Sequence, residues 1–452
     1  MDGADVASLA NDLRVGQPAW AALGFKGRGE VLVRFAEALE AWREALGAVL
    51  EGDTGRRRIA RLEIDSVIGA LKGWSATAPS LLPEGWTPGR AAPHIRHAPQ
   101  WSPYPLVGVI SPWNFPLLLS MIDTTPALMA GCAVMLKPSE VTPRFIGPLK
   151  EAIAAVPALA QVFAIAPGDG ATGAAVLDKV DCVAFTGSVA TGRKIAVRAA
   201  ERLIPAFLEL GGKDPMVVLN GSDMDAAVDA ALRGSTVSTG QACQSIERIY
   251  VARPMFEIFV EQLTGAAKSA RLNWPDVAVG EIGPIIFEKQ ADILAHQLKD
   301  AVAKGAKVHC GGRIETHGGG LWLRPTVLTG VTPDMAVMRD ETFGPIMPVT
   351  PFDTEEEAIA LANATEFGLS AAVFGPTLEA AEAVGRRIDA GAISLNDAAL
   401  TALFHEAPKQ NFKASGLGPS RIGPEGLTRY VRRKALIANT ARPAPLSAFR
   451  ED

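Results

Sequence analysis

A chain of 452 residues, 48% hydrophobic and 21% charged, is too long for one ordinary core and points to two or three domains of a globular protein. A net charge of −5 without any long basic block argues against nucleic acid and anionic membrane as partners. No apolar run approaches the ~20 residues that span a bilayer, and the opening MDGADVASLANDLRV lacks the basic-then-apolar pattern of a secretory signal. Four widely spaced cysteines, Cys132, Cys182, Cys243 and Cys310, form no CxxC pair, and the six histidines lack ligand spacing. Neither a disulfide framework nor a metal site is expected, and a cytoplasmic setting suits the chain.

The first elements read as helices. RGEVLVRFAEALEAWREALGAVLEGDTG carries apolar residues at helical spacing and stops at Gly55. The proline-rich LLPEGWTPGRAAPHIRHAPQWSPYP then reads as an excursion from the core. From Leu106 strands and helices alternate: LVGVISP, CAVMLKP, VFAIAPG, CVAFTGS and PAFLELGG are strands. Between them LLLSMIDTTPALMAG, RFIGPLKEAIAAV, ATGAAVLDK and ATGRKIAVRAAE are helices. The alternation predicts parallel βαβ units, and hence a doubly wound nucleotide-binding layout over residues 104–211. A second α/β series begins near Asp214 with PMVVLN, RIYVA, a long helix from Pro254, KVHCGG, LRPTVLTG, IMPVTPF, AAVFG and AISLND. The end, YVRRKALIANT, reads as a strand leaving the domain, equally suited to docking on another subunit and to ordinary edge packing.

Several stretches carry candidate chemistry, each with a plainer alternative. VAFTGSVATGRKI passes from a strand through Gly187 and Ser188 into a helix whose N-terminus suits a pyrophosphate, although a plain βα turn looks much the same. VMLKPSE ends a strand with Lys137 and Glu140, which can bind ribose hydroxyls or simply be solvated. DETFGP sets Glu341 near Phe343, either a ribose and nicotinamide holder or a turn. SPWNFP fixes Asn114 beside Trp113 at a strand end, where the amide can donate to a developing oxyanion or satisfy turn backbone. LELGGK ends a strand with Glu209, a candidate general base for water or half of an ion pair with Lys213. In STGQACQSIERIYV, Cys243 is either a small buried hydrophobe or a nucleophile. Strand ends of a doubly wound sheet share one edge, so Asn114, Lys137, Ser188, Glu209, Cys243 and Glu341 can face one cleft.

Taken in order, PWNFP, LKPSE, FTGS, ELGGK, GQACQSIER, ETFGP, FGLSAAVF and FKASGLG resemble the aldehyde dehydrogenase superfamily, from about Pro18 to Thr440. The resemblance implies an α/β, aldehyde dehydrogenase-like fold. Residues 1–86 and 104–211 would form an NAD-binding domain, 212–412 a catalytic domain, and 87–103 with 425–445 a β oligomerisation arm of a homodimer or homotetramer. It implies that Cys243 attacks the aldehyde and that the Asn114 amide and the Cys243 backbone N–H hold the oxyanion. After hydride transfer, Glu209 would activate water against the thioester. Trp113, Lys137, Glu140, Gly187, Ser188, Glu341 and Phe343 would bind the cofactor. Among these, Lys137 and Glu140 meet the adenosine ribose, Ser188 the pyrophosphate, and Glu341 the nicotinamide ribose. NAD is expected over NADP, which remains possible, because Glu140 would repel a phosphate.

Two departures touch the site. Asp123 stands where many hydrolytic relatives have a lysine that assists a proton relay, and PKQNFK replaces the usual PFGG, with Lys409 in the aromatic's place. Glu209 argues against a CoA-acylating type, and Cys243 against a catalytically silent structural relative. Leu117, Leu118, Met121 and Ile122 suggest an apolar entrance. With CQSIER and RRKALI, they resemble relatives that oxidise large apolar aldehydes, so an aromatic or large apolar substrate is expected.

Overall fold

The computed structural model describes residues 1–451. Four helices, Gly3–Ala22, Gly24–Ala41, Arg43–Thr54 and Arg57–Thr77, open the chain. The long apolar-periodic stretch breaks once, at Trp42, yet both halves bury one stripe: Leu32, Phe35 and Leu39, then Leu46 and Leu50. The chain then turns at Gly55, whose left-handed φ of 64° caps the helix as glycine does most readily.

The first sheet contains five parallel strands, Leu106–Ile110, Ala133–Lys137, Phe163–Ile165, Cys182–Thr186 and Ala206–Glu209. The chain winds outward from Leu106–Ile110 to Ala133–Lys137 and Phe163–Ile165. It then crosses back to lay Cys182–Thr186 and Ala206–Glu209 on the other side. The switch point therefore falls between Leu106–Ile110 and Cys182–Thr186, where a doubly wound sheet opens a crevice. A short antiparallel strand, Gly416–Leu417, pairs with Glu209 and Leu208 at that edge.

The second sheet runs Lys307–Cys310, Thr326–Thr329, Ile346–Phe352, Ile246–Ala252, Asp214–Val218, Ser370–Phe374 and Ala392–Leu395. All its pairings are parallel except the first. The stretch LRPTVLTG is not one strand. Leu323 ends a hairpin strand, Gly320–Leu323, and Thr326–Thr329 begins after Pro325, which cannot donate to a ladder. Buried apolar side chains form separate clusters, one from Val6 to Leu210 joined by Leu427 and Tyr430, the others between Met216 and Ala398.

The proline-rich stretch is more regular than its composition suggests. Ile95–Pro103 is a nine-residue strand, antiparallel to Val431–Asn439 from Ile95 opposite Asn439 to Pro103 opposite Val431. Thr87–Pro88 covers only His97 and Arg96 on its other side. Among the described residues no helix is long and apolar enough to cross a membrane, and no group of three or more His, Cys, Asp or Glu could hold a metal ion.

Candidate active site

Parallel register brings the strand ends level: Ile110 lies opposite Lys137 and Phe185, and Thr186 opposite Glu209. Lys137 is buried and its Nζ donates to Glu140 Oε2 at 2.8 Å, while Glu140 itself is exposed. Ser188 is the N-cap of helix Val189–Glu201, its Oγ accepting from the Thr191 N–H at 3.4 Å. Gly187 has no room for a side chain, since a Cβ there would lie 2.5 Å from the Phe185 ring.

The cysteine loop is strained and heavily tied. Ser238, Thr239 and Gly240 are left-handed in succession, with φ of 60°, 60° and 68°. For a β-branched threonine that conformation costs roughly 1–3 kcal/mol and persists only when the surroundings enforce it. Buried Arg56 supplies part of that enforcement, donating Nη2 to the Asn114 carbonyl at 2.5 Å and Nη1 to the Ser238 carbonyl at 3.4 Å. Gln241 donates to the Ser238 and Pro284 carbonyls at 3.2 and 3.0 Å and accepts from the Ile286 N–H at 2.8 Å. Asn114 Nδ2 donates to the Gln241 carbonyl at 3.0 Å, which holds the asparagine loop against the cysteine loop. The second hydrogen of that amide remains for another acceptor.

Cys243 is half-buried. Burial pushes its thiol up to about 12, with Glu341, Glu209 and Asp214 adding to the shift and Lys409 opposing it. The two glycines of LELGGK explain how these groups gather. A Cβ on Gly211 would lie 2.8 Å from the Glu341 carboxylate oxygens, and one on Gly212 would lie 2.3 Å from the Cys243 carbonyl oxygen. The Gly212 N–H also donates to Glu341 Oε1 at 3.0 Å. Burial, reinforced by Glu247, pushes the Glu341 carboxyl up to about 8. Phe343, left-handed at φ 52°, sets its ring centroid 5.4 Å from that of Trp113, edge to face.

The Glu209–Lys213 ion pair does not form. Lys213 is fully buried and donates instead to Glu247 Oε2 at 2.8 Å and Thr342 Oγ1 at 2.7 Å. Glu247 also accepts from the Thr342 and Phe343 backbone N–H groups, both at 2.7 Å, and so anchors the ETFGP loop. Glu209 is free of Lys213. Its Oε2 accepts from Asn411 Nδ2 at 2.7 Å, and its Oε1 lies 4.0 Å from Arg421 Nε. Asp123 sits in a buried ion cluster with Arg421, Arg429 and the Tyr430 hydroxyl. Burial alone would raise its carboxyl, but the two guanidinium groups hold it below the usual value. The apolar entrance is only half present: Leu117 and Met121 are fully buried in the core, whereas Leu118 and Ile122 are half-buried.

Four further residues shape the site without having been singled out in the sequence: Arg56, Glu63, Asn411 and Arg421. Glu63 Oε2 accepts from the Leu117 and Leu118 N–H groups, both at 3.0 Å, at the start of helix Pro116–Ala130. Arg56 and Glu63 are seven positions apart, beside the apolar stripe of Ala60, Ile64 and Val67. A glutamate among the apolar residues of that helix, with an arginine at its N-cap, was the available signal.

A half-buried thiol, a fixed amide donor and a carboxylate, grouped at the carboxyl edge of a doubly wound sheet, have the make-up of an α/β enzyme with a nucleophilic cysteine. The chain matches the aldehyde dehydrogenase family over residues 1–436. It is 36% identical over 442 residues to a Mycolicibacterium smegmatis protein named "Putative succinate-semialdehyde dehydrogenase", whose name also gives NADP(+), covering 96% of this chain and 84% of the relative. Among solved structures, the "Putative Aldehyde Dehydrogenase PutA" of Anabaena variabilis superposes with a TM-score of 0.97 at 50% identity, covering 100% of this chain and 96% of that one. The NAD-dependent aldehyde dehydrogenase of Sinorhizobium meliloti superposes with a TM-score of 0.90 at 32% identity, covering 98% and 89%. The chain belongs to the aldehyde dehydrogenase family and is an oxidoreductase.

Proposed function

We propose that the enzyme oxidises a short aliphatic aldehyde to its carboxylic acid at Cys243, with NAD as the preferred hydride acceptor and NADP as a second one. The residues suit the cofactor by their chemistry. Exposed Glu140 beside the Lys137 ammonium offers groups for ribose hydroxyls, and the helix beginning at Val189 offers unpaired N–H groups to a pyrophosphate. Glu341, Phe343 and Trp113 form the third contact. When bound, NAD(P) supplies the acceptor for the hydride of the substrate carbon.

The protein groups account for the other steps. The Cys243 thiol gives up its proton to solvent, and Sγ bonds to the aldehyde carbon as the carbonyl electron pair moves to oxygen. The free hydrogen of the Asn114 amide and the Cys243 N–H stabilise that oxyanion. Departure of hydride restores the carbonyl as a thioester. Glu209 then takes a proton from water while the water oxygen bonds to the acyl carbon. The C–S bond breaks, returning the thiolate and releasing the acid.

The observation carrying this reading is that Glu209 has no lysine partner and, with Glu341, lies close enough to Cys243 for its charge to raise the thiol. A carboxylate available for water favours hydrolysis over acyl transfer to a thiol such as CoA. A half-buried rather than fully buried cysteine favours an active enzyme over a silent relative. The substrate class follows the name of the M. smegmatis relative. With Leu117 and Met121 in the core, the apolar lining that favoured an aromatic or large apolar aldehyde loses half its members.

We also carry forward the division into a nucleotide-binding domain at 1–86 and 104–211, a catalytic domain at 212–412 and an arm at 87–103 and 425–445, acting in a cytoplasmic homodimer or homotetramer. The exposed apolar side chains Leu436 and Ile437 on the arm strand support such an assembly. A panel of short aliphatic, aromatic and long-chain aldehydes, each with NAD and NADP and with CoA added or omitted, tests the proposal. Acid formation from short aldehydes with no acceleration by CoA is expected. Acyl-CoA as the product would overturn it.

A further inference from the structure

We propose that Asn411 is a positioning residue that fixes the carboxylate of Glu209, and that Lys409 fixes Asn411 in turn. The inference rests on the reading of Glu209 as the base for thioester hydrolysis. Asn411 Nδ2 donates to Glu209 Oε2 at 2.7 Å, and Asn411 Oδ1 accepts from Lys409 Nζ at 2.6 Å. These partners leave one orientation for the amide, because a carboxylate only accepts and an ammonium only donates. Both bonds involve a charged group, which makes them the stronger kind.

The backbone is built around this contact. Gly416 lies opposite Glu209 across the short antiparallel pairing. A Cβ on Gly416 would come within 2.6 Å of Asn411 Nδ2 and 2.9 Å of Asn411 Cβ, so the glycine supplies the niche that the asparagine fills. The Lys409 N–H donates to Ser420 Oγ at 3.0 Å, securing the loop that carries both side chains. On the other flank, Arg421 Nε has no hydrogen-bond partner and faces Glu209 Oε1 at 4.0 Å. Glu209 is thus latched on one oxygen and faces an unused donor with the other. This device belongs to the stretch PKQNFK, where the sequence departs from the PFGG of the resemblance, and it gives that departure a purpose. Lys409 also lies on the side that offsets the carboxylates around Cys243.

A base held in one rotamer needs no reorganisation before it meets water, so loss of the latch should slow deacylation and leave acylation alone. The test acylates Cys243 with 4-nitrophenyl acetate, removes excess ester, and follows decay of the acetyl adduct by intact mass. Acylation forms the C–S bond as 4-nitrophenolate leaves, and decay exchanges that bond for C–O from water. Asn411→Ala and Asn411→Asp, the latter equal in size but unable to donate, should both lengthen the adduct lifetime about tenfold. Lys409→Met should lengthen it several-fold, and the nitrophenolate burst amplitude should stay at the wild-type value in the two Asn411 variants.

Glu209→Gln should lengthen the lifetime further, and adding Asn411→Ala to it should change nothing more. Wild-type decay in Glu209→Gln would overturn the base reading and this inference with it. Slow decay in Glu209→Gln but wild-type decay in Asn411→Ala would overturn the inference alone, as would an equal effect of Asn411→Ala with and without Glu209. If Asn411→Ala fails to fold, the same comparison with Lys409→Met decides.

Discussion

The electrostatic setting of Cys243 makes a quantitative prediction for the cofactor-free enzyme. An ordinary thiol near 9.0 is about one-tenth thiolate at pH 8, whereas one pushed up to about 12 is about one part in ten thousand. Because the thiolate is the reactive form, iodoacetamide should modify Cys243 about a thousandfold more slowly than an ordinary thiol. The sign also follows: the value is raised, so the rate should climb roughly tenfold per pH unit from pH 7 to 11 without a plateau. Lys409→Met should slow modification further, since it removes the cation that opposes Glu341 and Glu209. Peptide mapping after timed labelling separates Cys243 from half-buried Cys310, while Cys132 and Cys182 are fully buried. A plateau between pH 7 and 9 would mean that burial and the surrounding carboxylates do not govern this thiol.

Three more perturbations probe other parts of the account. Glu140→Ser should improve NADP use relative to NAD, because it removes a charge that repels a phosphate; a cofactor preference unchanged from wild type in steady-state kinetics would assign the ribose to other groups. Gly212→Ala places a Cβ 2.3 Å from the Cys243 carbonyl oxygen, so the loop must move at a cost of about 1–3 kcal/mol. A turnover loss of about a hundredfold is expected for a displacement near 1 Å, and unchanged kcat would show that the loop yields freely. Arg56→Met strips a donor from the Asn114 and Ser238 carbonyls. It should cost about 1–3 kcal/mol of stability, visible as a lower Tm with a fall in kcat; wild-type values of both would remove Arg56 from the site.

Much of this architecture is legible in the sequence, for a physical reason. Strands such as Ala133–Lys137 and Cys182–Thr186 are buried along their whole length, so the chain has to write them as short apolar runs ended by a turn. Ile346–Phe352, buried over its first four residues, is also read to the residue. The proline-rich stretch misleads because composition reports local preference, whereas Ile95–Pro103 becomes a strand through Val431–Asn439, more than 300 positions away.

The site divides along similar lines. Groups at strand ends announce themselves beside apolar runs. Partners brought by distant loops do not: Lys213, four positions from Glu209 in sequence, finds Glu247, and Glu209 finds Asn411, 202 positions on. Leu117 and Met121 fail as entrance residues because periodicity tells which helical face is apolar but not whether that face meets the core or a cleft.

The central claim is that chemistry passes through a covalent acyl adduct on Cys243. Acid-quenched intact mass analysis of Glu209→Gln, mixed with propanal and NAD and followed by peptide mapping, tests it most directly. The account predicts one equivalent of NADH in a burst together with a propanoyl mass increase on the Cys243 peptide, and neither in Cys243→Ser. Reduced cofactor forming at the same rate in Cys243→Ser, or an adduct mapped to another residue, would contradict it.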